Sequence, residues 1–234
     1  MKAVILLSGG LDSSTVLYKA ISDGHECHAI SFNYQQRHQR ELESAFAIAA
    51  SVSIKNHQIV NFDLRQWGGS ALTDNNINVP REELPKLDSG SISPSEMSQS
   101  IPVTYVPARN TIFLSFALAY AETINAEHIY IGVNALDYSG YPDCRPDYIQ
   151  AMQEVFRLGT KQGRLGKPIN IVAPLLQLKK TEIIQLGNQL GVPWEKTWSC
   201  YNGGDKSCGV CDSCLLRQQA FAALGLQDPL PYQE

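Results

Sequence analysis

The opening of this chain constrains its fold more than any other stretch. Lys2 to Leu7 is an aliphatic, β-branched run that halts on Ser8-Gly9-Gly10-Leu11-Asp12-Ser13-Ser14. Such a run predicts a buried parallel strand. Ser13 to Ile21 then has helical composition, so the two glycines fall between a strand and a helix. That context suits an anion cradle. Glycine lets the backbone approach a ligand and adopt unusual φ angles. Successive N–H groups converge as a nest, and the helix N-terminus adds partial positive charge. Ser8, Ser13 and Ser14 add hydroxyl donors. An ordinary strand-to-helix turn uses similar residues, but ligands favour the C-terminal ends of such strands. Leu7 to Ser14 is therefore the expected phosphate-binding segment. It is not a Walker A loop. Gly166-Lys167 is followed by Pro168 where Ser or Thr is required, and position 161 is Lys rather than Gly.

Four further apolar runs read as strands: His25 to Phe32, His57 to Phe62, His128 to Val133 and Ile169 to Val172. Helical stretches fall between them at Glu41 to Ser51, Arg109 to Asn125, Pro146 to Leu158 and Lys179 to Leu190. The last is closed by Gly191 and Pro193. Alternation of this kind predicts βαβ units and a doubly wound α/β sheet. A proline- and serine-rich stretch at about 80–104 lacks periodicity and is expected to be a long loop. The organisation expected is a nucleotide-binding α/β domain over 1–190 and a metal-binding C-terminal segment over 191–234.

Six cysteines are present, four of them as Cys200, Cys208, Cys211 and Cys214, a C-x7-C-x2-C-x2-C pattern. Closely spaced thiolates converge on one tetrahedral centre, and four sulfurs saturate zinc, so a structural Zn²⁺ site is expected. An iron–sulfur cluster also takes four thiolates. Cys27 reads as a small core residue and Cys144 as a packing thiol. The 234 residues carry a formal charge of −4, which argues against direct nucleic-acid binding. No apolar run reaches the length of a membrane span or of a signal peptide. A cytoplasmic protein with no membrane partner is expected.

Ser8 to Ser13 resembles the SGGxDS signature of the N-type ATP pyrophosphatases, which include GMP, NAD, asparagine and argininosuccinate synthetases and tRNA thiolases. Strings along nearly the whole chain, in order, further resemble the 7-cyano-7-deazaguanine synthase (QueC) family. They are Phe32 to His38, Val106 to Asn110, Gly132 to Ala135, Tyr141 to Pro146, Ala173 to Leu175 with Lys179 to Glu182, Thr197 to Tyr201, and Cys214 to Arg217. Gln35 departs from the pattern, which has Gly there, and leaves that turn's backbone geometry open. The stretch from 85 to 99 is longer than expected.

The resemblance implies a five-stranded parallel sheet of the adenine-nucleotide alpha-hydrolase (HUP) type. It also implies a ligase that converts 7-carboxy-7-deazaguanine, ammonium and ATP to the nitrile, with free ammonium or a separate donor, in a homodimer. Asp12 is expected to help place Mg²⁺. Lys179 or Lys180 is expected to neutralise phosphate, and Arg109 to grip a carboxylate or phosphate. Asp137 and Asp143 suit the donor edge of a guanine-like base, and Tyr138 or Tyr141 a ring stack. Arg37, His38 and Arg145 complete the expected substrate contacts. A tRNA-modifying sulfurtransferase, an enzyme attaching a deazaguanine to protein, and a non-catalytic ATP sensor are the competing readings.

Overall fold

The computed structural model describes residues 1–37, 40–81, 101–136 and 140–233. The expected contacts His38, Asp137 and Tyr138, and most of the 80–104 loop, lie outside the described residues.

Five strands, β1 (Lys2–Leu6), β2 (Glu26–Asn33), β3 (Asn56–Asn61), β4 (His128–Tyr130) and β5 (Asn170–Val172), form one sheet in the order β3-β2-β1-β4-β5. Every pairing is parallel. The order reverses at β1, which pairs with β2 on one edge and β4 on the other. This is the topological switch point of a doubly wound sheet, where ligands bind beyond the strand C-termini.

A strand covered on both faces must be apolar where it is covered, and β1 meets that demand from Ala3 to Leu6. Ala3, Ile5 and Leu7 join one core with α1 (Leu11–Ser22) and α2 (Arg40–Ala50). That core also takes Ile183 and Ile184 of α6 (Lys180–Leu190) and Phe221 of α7 (Asp212–Ala223). Val4 and Leu6 join the other, with Leu114 of α3 (Arg109–Ile124) and Phe156 of α4 (Pro146–Gly159). A single turn, α5 (Lys161–Arg164), follows α4. Among the described residues no helix is long and apolar enough to cross a membrane.

Two elements differ from the sequence expectation. β4 ends at Tyr130, although Ile131 N–H still reaches Val172 O at 3.0 Å. The chain beyond it leaves the sheet and lines a cleft. Helix α7 was not expected at all. It starts on Cys211, so its first turn belongs to the cysteine cluster, while Ala220 and Phe221 pack in the main core. The 191–234 segment is therefore built into the α/β body. Gln35 adopts φ 60, the left-handed geometry that glycine would take without a Cβ penalty. Gln35→Gly should relieve that strain and stabilise the fold by about 0.5–1 kcal/mol net of glycine's extra unfolded-state entropy. Chemical denaturation of the two proteins reads this directly.

Candidate functional site

A cleft of about 290 Å³ opens at the C-terminal ends of β1 and β4. Its floor is the loop between β1 and α1. Ser14 N–H donates to Gly10 O at 3.0 Å, so the amides of Leu11, Asp12 and Ser13 before it have no acceptor within the helix. The N-terminus of α1 has no side-chain cap. Two loop amides are engaged locally: Ser8 N–H donates to Ser13 Oγ at 3.2 Å, and Gly10 N–H to Ser8 Oγ at 3.3 Å. The two hydroxyls lie 3.0 Å apart. These are long bonds to rotatable groups. Gly9 faces away from the cleft, at φ +83 against α2. Gly132, just past β4, lets the first turn of α1 seat against the sheet: a Cβ there would lie 3.1 Å from Ser13 N. Ser14 is fully buried, and its hydroxyl has no partner among the described residues.

Lys180 Nζ, from the first residue of α6, meets both carboxylate oxygens of Asp12 at 2.8 and 2.9 Å. Both side chains remain partly exposed at the cleft, 17% for Lys180 and 30% for Asp12. Lys179 is exposed, and its N–H is capped by Glu182 Oε2 at 2.7 Å. Of the two lysines, the structure brings Lys180 to the loop.

Arg109 reaches the cleft from the start of α3, where its Nη1 donates to Tyr34 Oη at 3.5 Å. Tyr141 and Cys144 also line the cleft. Asp143 stands behind that lining. Its Oδ2 accepts from Asn110 N–H at 3.0 Å, so it caps α3, whose own N-cap, Ala108, offers no side-chain oxygen. Burial pushes the Asp143 carboxyl above its usual range, with the Asn110 amide and Arg109 pulling the other way. Arg145 lies in a neighbouring cavity of about 470 Å³ that shares Asn134, Tyr141 and Cys144 with the first. Arg37 turns from the cleft to hold the 74–77 turn, donating to Asn75 O at 3.3 Å and Ile77 O at 3.4 Å.

The remaining wall comes from the C-terminal segment: Trp198, Ser199, Tyr201, Ser213 and Arg217. Sequence reasoning gave these no role, nor did it single out Tyr34, Glu41, Asn110 or Asn134, which also line the cleft. Apart from Glu41 and Ser213, each sits inside a string quoted above, so the signal was there without a role attached.

Behind this wall the four cysteine sulfurs lie within 4.8 Å of one another. Tetrahedral Zn–S bonds of about 2.3 Å place sulfurs about 3.8 Å apart, a modest contraction from that spacing. Asn202 N–H and Cys208 N–H donate to Cys200 Sγ at 3.4 and 3.3 Å, as thiolate ligands require. The residues present fit a four-thiolate metal site.

The other two thiols are shielded. Burial pushes Cys144 up to about 12 and Cys27 up to about 11, so both stay protonated at pH 8. Iodoacetamide at pH 8 should leave both unmodified in the native protein and label them after denaturation, as mass spectrometry would show. Because their folded values lie above the usual 9.0, the stability they contribute is complete below pH 9. It is lost as pH rises through 11 and 12.

The strand order and the cleft define a doubly wound α/β protein whose loop between β1 and α1 opens, with Lys180 and Arg109, at the switch point of the sheet. More narrowly, the family model described as Queuosine biosynthesis protein QueC matches residues 2–225, and the chain belongs to that family. A relative named 7-cyano-7-deazaguanine synthase, from Trichormus variabilis, is 75% identical over 232 residues, covering 99% of this chain and 98% of its own. One of the same name from Thermoplasma acidophilum is 57% identical over 233 residues, covering 100% and 92%. The solved NMN synthetase from Francisella tularensis is 16% identical, covers 97% of this chain and 78% of its own, and has a TM-score of 0.48.

Proposed function

We propose that this chain converts 7-carboxy-7-deazaguanine, ammonia and ATP to 7-cyano-7-deazaguanine. The observation that carries this reading is the uncapped first turn of α1, opening into the same cleft as Lys180 and Arg109. Family membership supplies the substrate.

A carboxylate resists ammonia because its oxygen leaves poorly. Reaction with ATP turns one oxygen into a leaving group, and nitrogen then takes its place on carbon to give the amide. Activating the amide oxygen in the same way, with loss of both nitrogen protons as that oxygen departs, leaves the C≡N bond. No side chain need become covalently attached, so the protein's share is positioning and charge stabilisation. Incoming phosphate oxygens replace the serine hydroxyls at the Ser8 and Gly10 amides and meet the open amides of α1. Lys180 balances their charge. Arg109, steadied by Tyr34, faces the substrate carboxylate. Tyr141 supplies ring surface, and Asp143 holds α3, and so Arg109, in place.

Asp12 spends two lone pairs on Lys180, and a carboxylate has about four. The remainder suits Mg²⁺ shared with phosphate oxygens. The four cysteines would hold Zn²⁺, whose contribution is structural because no coordination position stays open. A homodimer is what the family resemblance supports.

A sulfurtransferase would need a thiolate outside the metal site, and burial keeps both spare thiols protonated. The test is incubation of purified protein with 7-carboxy-7-deazaguanine, ammonium and MgATP, followed by mass spectrometry. ATP-dependent appearance of the nitrile is expected. No ATP-dependent consumption of the acid would refute the assignment.

A further inference from the structure

Trp198 stands where three parts of the molecule meet. Its backbone N–H donates to Gly9 O at 2.9 Å, tying it to the floor of the cleft. Its ring is buried among Cys200, Cys211 and Cys214, with 3% exposure. The indole Nε1–H donates to Cys200 O at 2.9 Å. Arg40, at the start of α2, lies over the ring at 5.3 Å, and α2 is the helix whose backbone confines Gly9. The ring is thus fixed by the cysteine knot, while the peptide carrying it is fixed to the phosphate loop.

We infer that Trp198 is a positioning residue that couples the cysteine knot to the nucleotide loop, so that metal at one site and nucleotide at the other stabilise each other. This rests on the nucleotide reading above. The physical basis is short. Gly9 O has its partner only while the 197–200 segment keeps its path, and that path is held by the ring, buried in one cluster with Cys200, Cys211 and Cys214, together with Arg217 on Thr197. A collapsed knot releases the segment and lets the loop amides drift. A displacement of about 1 Å at such a site is enough to cost about a hundredfold. Coupling of this kind is reciprocal by thermodynamic necessity, with typical factors of about 5 to 150. A nucleotide that fixes the loop must therefore also tighten metal binding at the cysteine cluster by the same factor.

Trp198→Ala keeps the N–H but deletes its anchor. Trp198→Phe keeps an aromatic ring but loses the indole hydrogen bond and part of the buried ring volume, so it serves as the milder variant should the first fold poorly. Two quantities are read on each metal-loaded protein. One is the dissociation constant of a non-hydrolysable ATP analogue by calorimetry. The other is the metal dissociation constant, from equilibrium competition with a chromophoric chelator, with and without that analogue. In the unmodified chain the analogue should protect the metal, lowering its dissociation constant at least about fivefold. In Trp198→Ala that protection should vanish and the analogue should bind about tenfold or more weakly, with Trp198→Phe between the two. Protection is the discriminating readout, because a ring that merely touched the nucleotide would weaken its binding without linking it to metal affinity. Binding of the analogue to the unmodified chain with no effect on metal affinity would overturn the coupling alone. Failure of the analogue to bind that chain at all would overturn both readings.

Discussion

Gly9→Ala should weaken nucleotide binding about a hundredfold or more and destabilise the fold by about 2–5 kcal/mol. Two costs combine. Gly9 has φ +83, where a Cβ is strained in any surroundings. That Cβ would also lie 2.4 Å from Ala45 N, 2.5 Å from Glu41 O and 2.8 Å from Ser44 C. All three are backbone atoms of α2, so no rotamer change relieves the clash. Either α2 lifts from the sheet, exposing Ala45 and Ile48 of the core, or the loop moves and its amides lose their aim. Gly10→Ala is the matched control. Gly10 has φ −74, and a Cβ there would lie 3.3 Å from Ser8 Oγ and 3.5 Å from Trp198 O. Small side-chain adjustments absorb that. Thermal unfolding and titration with an ATP analogue should therefore separate the two: Gly9→Ala falls about a hundredfold or more in affinity, Gly10→Ala far less.

Arg217→Met should cost about 3–5 kcal/mol of stability, a large share of the roughly 5–15 kcal/mol that holds a typical domain together. Arg217 and Asp228 form an ion pair with side chains only 2% and 5% exposed. The pair is bidentate, at 2.8 and 3.0 Å. Arg217 also donates to Thr197 Oγ1 at 2.7 Å and Trp194 O at 3.2 Å, and its guanidinium lies over Phe221. Methionine refills much of the volume but leaves the Asp228 charge buried without its counterion, the costly way to break such a pair. Arg217→Met/Asp228→Leu removes the stranded charge and should recover part of the loss. It should not recover all, because Tyr232 Oη and Leu230 N–H also donate to Asp228. Urea unfolding of the single and double variants measures both effects. If Arg217→Met lost less than about 1 kcal/mol, the pair would be no more than a surface contact in effect.

The glycine turn after β1, the five strands and the clustering of the four cysteines were legible in the sequence because each rests on local grammar. A strand of Ala3-Val4-Ile5-Leu6, then two glycines, then Asp and Ser at a helix start leaves the backbone few alternatives. Four cysteines within fifteen residues of chain can reach one centre whatever surrounds them. The same reasoning found Arg109 and Lys180 as cations but could not choose between Lys179 and Lys180. That choice follows from how α6 packs against α1, which carries Asp12, and so from tertiary structure.

Tertiary structure alone decided the rest, because it depends on contacts between segments far apart in the chain. Asp143 caps α3 across 33 positions. Trp198 meets Gly9 from the far end of the sequence. Helix α7 was hidden because its first turn is spent on cysteines and its stability comes from a core supplied by distant strands. Gln35 shows the limit most plainly. Sequence says that glycine is the easy residue for a left-handed turn, whereas the folded protein holds glutamine there at φ 60. The turn's Tyr34 N–H bonds Gln36 Oε1, and Tyr34 is buried beneath Arg109. Local preference proposes a conformation, and the sum of long-range contacts overrules it when that sum is larger than the 1–2 kcal/mol or so at stake.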